Sequence, residues 1–176
     1  ADNYTLSWTN GSGTISKASA TVTANSGTYT YNGLARSASG FTVTSAVLGG
    51  TLSYSGTSQT AVNAGSYVIT PSGLSSSNYT LAYVSGTLTV NKATATVTAA
   101  SDTYTYNGLA RSASGFTATG LENGETTTVL TGVSVSGGGT NAGTYTTTAS
   151  GTDSNYTLSF VDGTMTINKA ALTVTA

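Results

Sequence analysis

The chain has 176 residues, with five basic and six acidic side chains, no histidine, no cysteine and a net charge of −1. Without histidine or cysteine it has no imidazole acid–base chemistry, no thiolate nucleophile and almost no route to a zinc site. Five basic groups over this length do not make the electropositive footprint that nucleic acid requires.

Threonine, tyrosine and valine are frequent, as suits a pleated, half-buried surface. The 22 glycines and single proline, Pro71, leave the turns to Gly, Asn and Ser. No window holds apolar residues at helical spacing for more than a turn or two. Apolar alternation persists at low net charge, so folded β domains are expected rather than disorder. No membrane span is present, and no membrane contact is expected of these residues.

An internal repeat sets the domain organisation. Residues 17–41, KASATVTANSGTYTYNGLARSASGF, return at 92–116 as KATATVTAASDTYTYNGLARSASGF. Residues 17–91 and 92–168 read as two β repeats. Residues 1–16 read as the C-terminal stub of a preceding repeat, because Asn-Tyr-Thr-Leu recurs at Asn3, Asn78 and Asn155, each 14 positions before a lysine. Residues 169–176 read as the N-terminal stub of the next repeat.

In the first repeat, strands are predicted near 19–24, 28–31, 35–44, 51–55, 66–70, 79–84 and 86–91. Short strands with turn signals every 8–12 residues predict an all-β fold of two antiparallel, immunoglobulin-like sandwiches end to end. A β-grasp-like sheet with one short helix per repeat, near 121–130 in the second, is the alternative. Asn32-Gly33 and Asn107-Gly108 suit tight hairpins with positive φ at both turn positions. Asn63-Ala64-Gly65 and Asn141-Ala142-Gly143 read as turns feeding another strand. Tyrosines are expected half-buried, with their hydroxyls at the rim. The repeats differ in length in their middles and near Pro71, which predicts loops outside the sheets.

At each junction the alternation slips by one position. Leu88 and Val90 are even-numbered, whereas Ala95, Val97 and Ala99 are odd-numbered. Successive strand residues face opposite sides. The last strand of one repeat is therefore expected to run with almost no linker into the first strand of the next, through Asn91-Lys92 and again through Asn168-Lys169. Each lysine is expected to lay its stem along the junction and keep its ammonium in water.

Five motifs recur in order: Lys-Ala-x-x-x-Val-Thr-Ala, Tyr-Asn-Gly, Asn-Ala-Gly-x-Tyr, Asn-Tyr-x-Leu and Gly-Thr-apolar-Thr-apolar. Together they resemble the YDG/MBG-type repeats found in tandem in large bacterial surface adhesins, including filamentous-haemagglutinin-like proteins. The resemblance covers both repeats and both stubs. It departs from the family at Asn32 and Asn107, which stand where the family has the Asp of Tyr-Asp-Gly. Its Gly-Leu-x-x-Gly-acidic motif fits Gly120 to Glu125 and has no match in the first repeat. The resemblance implies non-catalytic spacer repeats, secreted or on the bacterial cell surface, whose partners are neighbouring repeats of the same chain.

No catalytic, cofactor-binding or metal-binding residue is assigned. A serine–lysine nucleophile remains formally open, but every lysine sits at a repeat junction, so no enzyme is expected. Calcium favours six to eight oxygen ligands, and residues 17–91 carry no carboxylate. Glu122 and Glu125 read as a solvated loop. The alternative function is weak, multivalent binding of a glycan, mucin or host protein. Its contacts would be Arg36 and Arg111, stacked near Tyr31 and Tyr106. The Asn-Tyr-Thr triplets are also acceptor sequons, although turn geometry accounts for their fixed place.

Overall fold

A computed structural model of the chain describes residues 3–44, 49–51, 53–55 and 59–176. Asp2 and position 52, in the strand expected at 51–55, lie outside the described residues. The first repeat forms β1 (Ala18–Ala24), β2 (Gly27–Thr30), β3 (Arg36–Ser37), β4 (Phe41–Val43), β5 (Ser53–Ser55), β6 (Thr60–Ala61), β7 (Gly65–Ser72), β8 (Tyr79–Val84) and β9 (Gly86–Asn91). A three-stranded sheet, β4-β1-β8, a four-stranded sheet, β2-β9-β7-β5, and a β3-β6 ribbon result. Burial follows the alternation. Ala20, Val22 and Ala24 of β1 and Leu88 and Val90 of β9 point inward, and the threonines between them are half-buried.

The second repeat retraces this plan. Its strands are β10 (Ala93–Ala99), β11 (Asp102–Thr105), β12 (Arg111–Ser112), β13 (Phe116–Thr119), β14 (Val133–Ser136), β15 (Gly138–Gly139), β16 (Gly143–Gly151), β17 (Tyr156–Val161) and β18 (Gly163–Asn168). The sheets are β13-β10-β17 and β11-β18-β16-β14, with a β12-β15 ribbon. Among the described residues, each repeat's strands pair only with one another. The helical content of 121–130 is one 3₁₀ turn, Thr127–Val129.

The all-β, two-sheet architecture is as expected, but the sheets are mixed rather than wholly antiparallel. β1 runs parallel to β8, and β2 runs parallel to β9. β1 passes to β2, and β8 to β9, from the three-stranded sheet to the four-stranded one. Two neighbouring strands thus bend together between the sheets. The bend explains the glycine of the Gly-Thr-apolar-Thr-apolar motif. A Cβ at Gly86 would lie 2.6 Å from the Ala24 carbonyl oxygen, and one at Gly163 would lie 2.4 Å from that of Ala99. The Ser26 hydroxyl accepts the Thr87 N–H at 3.0 Å and Ser101 accepts that of Thr164 at 3.0 Å, fastening each corner.

Three further expectations are corrected. Asn32-Gly33 and Asn107-Gly108 do not close hairpins, because β2 pairs with β9 while β3 pairs with β6. Only the glycines take positive φ, 73° and 80°, and each asparagine instead accepts the N–H two residues on. Pro71 lies in β7, not in a loop. Pairing of β7 with β9 ends at Ile69, so Pro71 faces only β5 and its missing donor is tolerated. The length difference in the repeat middles does not fall wholly outside the sheets, since β14 pairs with β16 along four residues.

Candidate functional site

Between the repeats the junction is built as the slip predicts, whereas at Asn168-Lys169 it is not, since β18 ends at Asn168 and residues 169–176 form no strand. β9 ends at Asn91, β10 begins at Ala93, and Lys92 alone stands between them. Leu88 and Val90 are buried before it, and Ala93, Ala95, Val97 and Ala99 after it. Tyr31 is tied to the junction through its N–H, which donates to the Asn91 carbonyl at 2.8 Å. Tyr106 does the same to Asn168 at 2.8 Å.

Around this strand the two repeats make a polar joint. Asp153 opens it, because its Oδ1 accepts the N–H groups of Asn155 and Tyr156 at 2.7 and 3.0 Å. That local turn aims Asn155 and Tyr156 at the first repeat. Asn155 Oδ1 accepts the Ala64 N–H at 2.9 Å, and its Nδ2 donates to Asn63 Oδ1 at 3.3 Å. The rings of Tyr31 and Tyr156 meet edge to face with centroids 5.3 Å apart. Both hydroxyls donate to Glu125, Tyr31 to Oε1 and Tyr156 to Oε2. Tyr156 also accepts the Glu122 N–H at 2.8 Å.

Burial, and then the bond to Glu125, push the Tyr31 hydroxyl up to about 12. The same causes, burial first, raise Tyr156. Both phenols therefore keep their protons through neutral pH and act as donors. Gly33 closes the joint against Asn123, whose Cβ would be 2.8 Å from a Cβ at that glycine.

These placements revise the site expectations. Glu125 does not belong to a solvated loop, and Glu122 contributes its backbone N–H to the joint. Tyr31 is buried, not at the rim. Tyr67 and Tyr145 close the Asn-Ala-Gly turns by donating to the carbonyls of Asn63 and Asn141 at 2.9 and 2.8 Å. Lys92 Nζ donates to the Asp153 carbonyl at 2.6 Å and Lys17 Nζ to that of Ser76 at 3.0 Å, so these ammoniums are not left to water alone. Arg36 stacks on Tyr29 at 5.3 Å and Arg111 on Tyr104 at 4.8 Å, two residues before Tyr31 and Tyr106, which were the expected partners. The structure brings Tyr31, Asn91 and Lys92 together at the joint; Tyr106, Asn168 and Lys169 lie together at the far end of the second repeat. Sequence reasoning missed Glu125, Asn155 and Tyr156. The available signal was a carboxylate motif carried by one repeat alone.

The fold and joint define a class: tandem all-β repeats fused end to end through their terminal strands. The family model for the MBG domain (YGX type) matches twice, over residues 20–89 and 95–166. The chain belongs to that family. No curated protein and no solved structure matches it.

Proposed function

We propose that these repeats are structural spacers in the stalk of a large bacterial cell-surface adhesin, carrying a binding region away from the cell. The observation that supports this most is the joint, where one residue separates two strands and side chains of both repeats interlock around it. The near-continuous run from Gly86 to Ala99, at about 3.3 Å per residue, reaches roughly 46 Å, enough to couple two small domains. The double family match supports a surface-repeat role. The test is small-angle scattering, with distance distributions between spin labels placed one per repeat. A stiff spacer gives an extended particle and one narrow distribution. A broad distribution that includes compact shapes would remove the stiff-rod reading.

The alternative, weak multivalent binding of a glycan or host protein, draws on the arginine–tyrosine stacks that recur in both repeats. Dose-dependent binding to immobilised glycans or mucin, lost on Arg36→Ala with Arg111→Ala, would favour it.

A further inference from the structure

The far end of the second repeat repeats the surface that the first repeat buries. Tyr31 is 5% exposed in the joint, whereas Tyr106, the same position of an identical segment, is 42% exposed. Gly33 meets Asn123, whereas a Cβ at Gly108 would meet nothing within 4 Å. Asn141 and Ala142 correspond to Asn63 and Ala64, which Asn155 engages. With Tyr106 and residues 169–172 they line a groove of about 550 Å³. Leu172 and Val174 are both exposed.

The occupant is specified by chemistry. In the joint, two buried phenols share one carboxylate, and a buried hydroxyl without an acceptor is disfavoured. Only the second repeat supplies that carboxylate. Counting from Phe41 and Phe116, the position of Glu125 is Gly50 in the first repeat, and residues 17–91 contain no acid at all. The turn that aims Asn155 and Tyr156 is set by Asp153. Ser76 takes its place in the first repeat, with longer bonds of 3.2 Å to the N–H groups of Asn78 and Tyr79.

We propose that the end face formed by Tyr106, Gly108, Asn141 and Ala142 docks a further repeat of the second type in preference to one of the first. The incoming Gly-Leu-x-x-Gly-Glu loop supplies the acceptor for Tyr106, and its Asn-Tyr pair seats over Asn141 and Ala142. This rests on the spacer reading and adds a pairing rule to it. A carboxylate-bearing repeat makes a closed joint with the repeat before it, and an acid-free repeat makes a looser one.

The test extends the whole chain beyond Ala176 in two ways. Residues 169–176 already stand where 92–99 and 17–24 stand. Adding a copy of residues 100–168 therefore completes a second-type repeat, and adding 25–91 completes a first-type repeat. Hydrogen exchange first establishes that each added repeat is folded. Nitration of Tyr106, read by mass spectrometry, then reports docking, with buried Tyr31 and the 79%-exposed Tyr4 as references.

The second-type extension should slow Tyr106 modification by about tenfold or more, and the first-type extension by about twofold or less. Glu125→Gln in the added copy should return much of the reactivity. Equal protection by both extensions, protection by neither, or indifference to that Gln variant would overturn the proposal. Scattering on the unextended chain tests the spacer reading separately. A hinged chain that still shows selective Tyr106 protection would fail the one and keep the other.

Discussion

The segment from Thr28 to Phe41 and the segment from Thr103 to Phe116 are identical in sequence, yet they end in different surroundings. Both make the same local structure: a strand, an Asx turn with glycine at positive φ, and an arginine stacked on the tyrosine of the strand. At the first, Tyr31 is a core residue of the joint. At the second, Tyr106 stands half-exposed. Local sequence therefore dictates the turn and the stack, and the following repeat decides burial. A buried cluster that includes Ala24, Tyr31, Val90, Ala93, Leu130 and Tyr156 crosses the junction, so the two repeats share part of one core.

The largest test of this comparison is at its other partner. Tyr156 is 2% exposed and its counterpart Tyr79 is only partly buried. Tyr156→Ala should lower stability in urea denaturation by about 3–5 kcal/mol, the usual cost of deleting a buried aromatic side chain. Tyr79→Ala should cost about 1–2 kcal/mol, because less packing is lost there. Equal losses would mean that the joint adds nothing to the burial of this position.

Next in size is the shared acceptor. Glu125→Ala leaves two buried hydroxyls without an acceptor and should cost about 2–3 kcal/mol. Glu122→Ala retains its backbone N–H and should stay within about 0.5 kcal/mol. The same triad predicts a pH window. Unfolded tyrosine ionises near 10, whereas Tyr31 holds its proton up to about 12. The raised value favours the neutral phenol in the folded chain. Its contribution is complete below about pH 10 and lost as pH climbs toward about 12. In an ultraviolet titration, Tyr31 and Tyr156 should ionise above the ordinary tyrosine value near 10, and Glu125→Ala should bring them earlier.

How much of this was legible in the chain depends on the range of the interaction. The alternation and ends of β1, β9 and β10 and the slip at Lys92 could be read directly, because they rest on a period of two and on neighbours in sequence; the single strand expected at 35–44 is instead β3 and β4, paired in different sheets, and β6 was not foreseen. The parallel pairing of β1 with β8 could not, since alternation tells which residues share a face but not which strand lies beside it. Nor could the joint, where Tyr31 and Glu125 are 94 positions apart and meet only across the two repeats. Asn32-Gly33 misled for a related reason. The pair suits a type I′ hairpin, but β2 and β3 are each claimed by other partners, and the pair makes an open Asx turn instead.

A smaller effect separates the two turn glycines. Gly33→Ala and Gly108→Ala each put a Cβ at positive φ and should each cost about 1–2 kcal/mol from backbone strain. Gly33 carries a further penalty because the new Cβ would lie 2.8 Å from that of Asn123. The difference, about 1 kcal/mol in paired denaturation curves, isolates the contact between repeats from the conformation of the turn. If the two variants were equally stable, the contact at Gly33 would be one that Asn123 yields without cost.

The finest distinction is at the sequon asparagines. Asn155 spans the joint through Ala64 and Asn63, whereas Asn78 is exposed. Asn155→Ala leaves the Ala64 N–H without its acceptor and should cost about 1 kcal/mol, while Asn78→Ala should fall within about 0.5 kcal/mol. The more telling readout is the pairing itself. A double-mutant cycle of Asn155→Ala with Tyr67→Phe tests whether the Asn63-Ala64-Gly65 turn must be held closed before Asn155 can use it, because the Tyr67 hydroxyl fastens that turn through the Asn63 carbonyl. A coupling of about 0.5 kcal/mol or more would tie the Asn-Ala-Gly-x-Tyr motif of one repeat to the Asn-Tyr motif of the next. Simple additivity would mean that the turn is shaped by its own strand alone, and that Asn155 merely meets it.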